Sequence, residues 1–199
     1  MDDRTPVAES DPNQLWQQQQ LANTPMTSWE LKGKIGVKTG KKGGSATLKW
    51  SYNGDYQSIE LYGPFGGGRV HINSTPDLTR LEDTRGRVIE GASAQEVLYQ
   101  RLGWHVPFDE LVMWSRGLPN EGATDIKIDS SGRLKSLKQG AWQVEYQEYR
   151  SVDKLVLPRK LTITSLPGKM QVYDDDGKYI GDELSVKVIL KRWWDINAG

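Results

Sequence analysis

Apolar and polar residues alternate with a period of two along most of the chain. In "SWELKGKIGVKTG", Trp29, Leu31, Ile35 and Val37 alternate with lysines, the pattern of a strand with one buried face. "KKGG" turns the chain into "SATLKWSYNGDYQSIELYG", two strands joined at Asn53–Gly54. "LYGPFGGGRVHI" sets Ile59 to Leu61 against Val70 to Ile72 across a glycine-rich loop, and "DLTRLEDTRGRVIEG" turns at Arg85–Gly86. Six short antiparallel strands are thus predicted before residue 92. The period then changes. "ASAQEVLYQRLGW" opens with Ser93 and Glu96 as a capping box, spaces Val97, Leu98, Arg101 and Leu102 as a helix does, and stops at Gly103. "VPFDELVMWSRGLP" is a second short helix carrying Leu111, Val112 and Trp114, stopped by Gly117 and Pro119. Strands resume through turns at Ser131–Gly132 and Gln139–Gly140, and about five more complete the chain.

The ends read differently. Residues 1–13 are polar, acidic and contain two prolines, a disordered leader. "NQLWQQQQLANTPM" is a short helical patch ending at Thr24–Pro25. Residues 14–199 make a single domain.

Summed over the strands, one face carries Leu31, Leu48, Trp50, Ile59, Leu61, Trp142, Val144, Ile163 and Val186, and the other Lys32, Lys49, Glu60, Lys127, Glu145 and Lys187. That is a mainly β fold with a small helical insertion. About eleven strands in one sheet curl rather than stay flat. Some 25 helical residues cover part of such a trough without filling it. Either an apolar cavity or an ordinary packed core satisfies this pattern.

Composition narrows the chemistry. Formal net charge is zero, which gives no case for nucleic acid. There is no cysteine, so disulfides and thiol catalysis are excluded. His71 and His105 are the two histidines, too scattered for a zinc site. A G-x-S-x-G elbow is absent. "TGKKGGSA" and "YDDDGKYIGDE" lack phosphate-loop and calcium-loop register and read as hairpin turns. No metal, cofactor or catalytic group is expected. Residues 30–49 hold six lysines against one glutamate, and residues 174–183 five acids against one lysine. These are solvated turns or docking patches, for anionic lipid or for a partner. Phe65, one of two phenylalanines, sits at a loop tip between Pro64 and Gly66.

Several segments in order resemble the LolB family of outer-membrane lipoprotein receptors: "ELKGKIGVKT", "YQSIELYGPFGGGRVHI", "WSRGLP", "WQVEYQEY" and "LPRKLTIT". The resemblance covers roughly residues 29 to 195. It implies an eleven-stranded antiparallel half-barrel with helices as a lid over an apolar cavity. Acyl chains would lie against Leu31, Leu48, Trp50, Ile59, Leu61, Trp142, Val144 and Ile163, under Val97, Leu98, Leu111 and Trp114. It further implies a non-enzymatic monomer that takes acylated lipoproteins from the periplasmic carrier LolA and places them in the inner leaflet of the outer membrane, with Pro64, Phe65 and Gly66 as the membrane-insertion loop. The carrier shares the fold and is the competing assignment. A small-ligand esterase is the other. Two departures stand out. The family's lipidated N-terminal cysteine is missing, as in a soluble version starting at a substituted Met1. "SLPGKMQVYDDDGKYIGDELS" is longer than the family's usual last hairpin.

Overall fold

In a computed structural model, the residues described are 10–63, 68–174 and 176–199. The chain runs through α1 (Pro12–Asn23), β1 (Ser28–Thr39), β2 (Lys42–Tyr52), β3 (Gln57–Tyr62), β4 (Arg69–Ser74), β5 (Thr79–Asp83), β6 (Val88–Gly91), α2 (Ala94–Leu102), α3 (Phe108–Trp114), β7 (Thr124–Ile128), β8 (Leu134–Gln139), β9 (Trp142–Val152), β10 (Leu155–Ser165), β11 (Val172–Tyr173), β12 (Tyr179–Gly181) and β13 (Leu184–Asn197). Helix α1 starts inside the stretch 1–13 read as leader. Asp11 caps it, accepting a hydrogen bond from the Asn13 N–H at 3.1 Å. Pro12 takes the first helical position, where its missing N–H costs nothing.

Eleven strands form one open antiparallel sheet in the order β6-β5-β4-β3-β2-β1-β13-β10-β9-β8-β7. The expected eleven-stranded architecture is therefore present, from six strands before the helices and five of the seven after them. The remaining two, β11 and β12, pair only with each other. The last strand lies between β1 and β10 and joins two meanders. Its register with β1 slips between Lys32 and Gly33. A Cβ on Gly33 would lie 2.0 Å from the Ile189 carbonyl oxygen, so only glycine lets β13 pass this close.

Parity places the core. In β1, Leu31, Ile35 and Val37 are buried while Lys32, Lys34 and Lys38 are exposed, and β13 repeats this with Val186 and Val188 against Lys187. Tryptophans fill the β1–β2–β13 junction: Trp29 meets Trp50 edge-on at 4.7 Å and Trp193 at 5.3 Å. The sheet curls around α3. Strands β2 and β9 are four ladder steps apart, about 19 Å on a flat sheet, whereas the seven-residue α3 is about 10 Å long. Yet Phe108 of α3 packs on Trp50 of β2, and the Trp114 carbonyl at its other end accepts a bond from Tyr146 of β9.

Candidate functional site

The twelve residues expected to bound a cavity do converge on one interior. Leu31, Leu48, Trp50, Ile59, Leu61, Trp142, Val144 and Ile163 face inward from the sheet, and Val97, Leu98, Leu111 and Trp114 face them from the helices. None is more than 5% exposed. In this conformation the trough is filled. Helix length undercounts the filling, because Trp104 and Val106 of the non-helical 103–107 linker are buried as well. The Phe108 ring lies edge-on to Trp50 with centroids 5.5 Å apart. The closed packing carries a cost: the indole N–H groups of Trp29, Trp114 and Trp193 are buried and find no acceptor among the described residues. An unsatisfied buried donor costs about 1–3 kcal/mol.

The lid is held unevenly. At its start, Ser93 Oγ accepts the Glu96 N–H at 3.1 Å and Glu96 Oε2 accepts the Ala92 N–H at 2.8 Å, a capping box whose return bond goes to the residue before the cap. At the end of α2, Arg101 Nε donates to Asp83 Oδ2 at 2.9 Å. The backbone N–H of Arg87 and the Arg101 guanidinium hold the Asp83 carboxyl below its ordinary pKa. The end of α3 is clamped hardest. Arg116 is buried, with no carboxylate paired to it among the described residues. It donates instead to the carbonyls of Met26 at 2.7 Å and Val112 at 3.1 Å. Burial pulls its pKa down from the ordinary arginine value. The Arg116 carbonyl in turn accepts from Asn23 Nδ2 of α1 at 2.8 Å. Tyr146 Oη donates to the Trp114 carbonyl at 2.9 Å, and Tyr149 Oη to the Leu134 carbonyl at 2.6 Å. Burial raises both phenols, and the Asp129 carboxylate adds to the rise at Tyr149. "WSRGLP" is thus tied to α1, the α1–β1 connection and β9 by hydrogen bonds at the end of α3. Nothing in its letters marks Arg116 as buried, and the sequence reading missed it.

At the end of the sheet bearing the β1–β2 turn, the α2–α3 linker meets the strands through Trp104. A Cβ on Gly44 would lie 2.7 Å from the Trp104 ring, so the glycine makes room for it. His105, next along, stacks on Tyr99 at 4.2 Å, and burial lowers its pKa. The β11–β12 hairpin closes on the same place, with Val172 in the core and Ile180 packed against it. Between hairpin, turn and linker lies a pocket of about 220 Å³ bounded by Val37, Leu102, Trp104, Val172 and Ile180.

His71 has a neighbour the sequence did not reveal. Its Nε2 lies 2.8 Å from Ser58 Oγ on the next strand. The pair sits on the solvated face of the sheet, and no carboxylate orients the ring by a hydrogen bond among the described residues. Glu60, opposite His71, instead accepts from Arg69 at 2.6 Å. The third member an esterase needs is not in place. The Pro64, Phe65 and Gly66 loop lies outside the described residues.

Residues 27–193 match the family model for outer membrane lipoprotein LolB. The chain belongs to the LolB family. Over 160 residues it is 36% identical to the outer-membrane lipoprotein LolB of Nitrosococcus oceani, covering 79% of this chain and 80% of that one. It is 32% identical over 186 residues to that of Pseudomonas syringae pv. syringae, covering 93% and 82%. Among solved structures, a LolA superfamily protein from Nitrosomonas europaea superposes with a TM-score of 0.56 at 10% identity, over 92% of this chain and 93% of that one. That likeness is one of fold. The LolB segments quoted from the sequence fall on β1, β3, β4, β9 and β10 and on the Arg116 anchor.

Proposed function

We propose that this chain is an outer-membrane lipoprotein receptor: it accepts acylated lipoproteins from a LolA-like periplasmic carrier, shelters their chains in the trough, and releases them into the inner leaflet of the outer membrane. The observation that carries this reading is a wholly apolar trough under a lid whose inner contacts are hydrophobic while its fixed points lie at its ends. Membership of the LolB family favours the receptor over the carrier. No step requires covalent chemistry.

Energetics supply the mechanism. Each methylene moved out of water is worth about 0.8 kcal/mol. Two or three long acyl chains bared to water would cost tens of kcal/mol as a rough upper figure. Cargo therefore passes from one apolar site directly to the next. A difference of a few kcal/mol in affinity gives the transfer its direction. Opening requires lifting α2 and α3 from the sheet. The buried indole N–H groups lower the net cost of doing so. The acyl chains then replace the contacts that Phe108, Leu111 and Val97 make with the sheet. Phe65, read from its sequence setting, is the residue that touches the bilayer on delivery.

A fluorescent long-chain fatty acid tests the site. It should bind and quench tryptophan emission, and Trp50→Asp and Ile59→Asp should abolish binding in protein that still folds. Unchanged affinity in both variants places the chains elsewhere. Delivery is tested separately: Phe65→Glu should leave melting and uptake intact while slowing transfer from a carrier–lipoprotein complex into liposomes. Equal transfer rates would remove the loop from the mechanism.

A further inference from the structure

We propose that the β11–β12 hairpin is the port of the acyl-chain site, and that the methyl end of a long acyl chain enters through the pocket between this hairpin and Trp104. The proposal rests on the lipid-binding reading above and adds the route of entry.

The hairpin is amphipathic across its thickness. Val172 and Ile180 turn toward the core, while Tyr173 and Tyr179 are about half exposed and pair edge-on at 5.9 Å. It pairs with no strand of the main sheet. A lone two-stranded hairpin is marginal in water, so its position depends on the few apolar contacts of its inner face. Those contacts are with the parts that seal the end of the half-barrel: Val37 of β1, Leu102 of α2 and Trp104 of the linker bound the same pocket.

Its legs are built to hinge. Ser165 Oγ donates to the Asp182 carbonyl and accepts from the Leu184 N–H, both at 2.9 Å, which pins the base where β10 ends and β13 begins. Above that base, Gly168 and Gly181 hold φ of +70° and +137° on the two legs, and few residues other than glycine tolerate such angles. A pinned base, glycine legs and an apolar underside describe a flap that lifts and returns. The pocket beneath it, about 220 Å³, is smaller than the roughly 300–1,000 Å³ of sites that enclose a whole ligand. It fits a chain end. Thr39, Lys42 and Asp174 make its mouth polar, and the apolar part of its lining continues into the trough, because Val37, Trp104 and Val172 belong to the same buried cluster as Leu48 and Trp50.

The absence of cysteine permits a direct test. Lys42 of β2 and Tyr173 of β11 both line the pocket. A Lys42→Cys/Tyr173→Cys variant is bridged with a short bis-maleimide containing a reducible bond, and uptake of a dansyl-labelled fatty acid is followed by stopped flow. The bridged form should take up the probe at least tenfold more slowly than the same protein after reduction, with melting no lower. Val172→Ser, which weakens the flap's seal, should take it up several-fold faster than the parent. Equal rates before and after reduction overturn the port, while the receptor reading survives if Trp50→Asp still loses the probe. A parent protein that never takes the probe overturns both.

Discussion

Phe108→Ala separates the lid's contribution to stability from its role as a barrier to ligand. The ring is fully buried at the first turn of α3 and packs edge-on against Trp50. Removing a buried phenylalanine ring costs about 3–5 kcal/mol, of which the aromatic pair supplies about 0.5–1.5. For a domain of this size each kcal/mol shifts the melting temperature by about 2–4 °C, so the variant should melt about 6–20 °C below the parent. The same ring has to leave Trp50 when the lid opens. Its loss therefore penalises the closed state and leaves the open one nearly untouched. The vacated space is apolar, and such cavities accept apolar ligands. About four methylenes at about 0.8 kcal/mol each recover most of what was lost. Fatty-acid affinity should rise at least tenfold, a gain of about 1.4 kcal/mol or more, and saturating probe should restore most of the melting temperature. The assay is a pair of thermal melts with and without probe, together with a fluorescence titration. A destabilised variant whose probe affinity is unchanged or weaker refutes the reasoning, because the Phe108–Trp50 contact would then be no part of what the chains displace.

Arg116→Met should destabilise the fold by about 1–3 kcal/mol in urea unfolding, since it orphans the buried Met26 carbonyl and leaves that of Val112 with the Ser115 hydroxyl alone; a neutral result would mean water replaces the guanidinium. Gly44→Val drives a side chain into the Trp104 ring, so it should shift tryptophan emission to the red and speed probe uptake; an unshifted spectrum would show that the ring gives way without leaving its place. Burial raises the Tyr146 and Tyr149 phenols in the folded state. Their contribution is complete below the unfolded phenol value of about 10 and is lost as pH rises beyond it, because the unfolded chain then ionises first. Urea midpoints should fall above that pH, and Tyr146→Phe with Tyr149→Phe should flatten the decline.

The sheet was legible because most of its strands are half buried. A residue such as Leu48 between Thr47 and Lys49 declares its face without help from the rest of the chain. The twelve trough residues followed from that parity together with the 3.6-residue spacing of α2 and α3. Filling was not legible, since it depends on Trp104 and Val106, which lie in a linker where no period operates. Arg116 was hidden for a related reason. An arginine after a helix reads as solvated, and only the three-dimensional approach of the Met26 carbonyl makes burial affordable. Ser58 and His71 are 13 residues apart and meet only through the β3–β4 register. The start of α1 was visible in principle, as Asp11–Pro12 is a capping signal, but the acidic composition around it suggested a leader.

The strand that joins the two meanders is made after the twelve other strands described. Ser28 pairs with Asn197 and Thr39 with Leu184, contacts that span nearly the whole chain. Until β13 arrives, β1 and β10 are bare edges, open to pairing with any other chain. Closure across such a separation is slow, because the entropy of a long loop is lost before the contacts are gained. A chain still emerging from a ribosome can assemble each meander but not the trough between them. The two meanders are therefore joined in one step, when the fourteen residues of β13 slot between strands already in place. Loss of β13 should part the two meanders and leave much of the secondary structure behind.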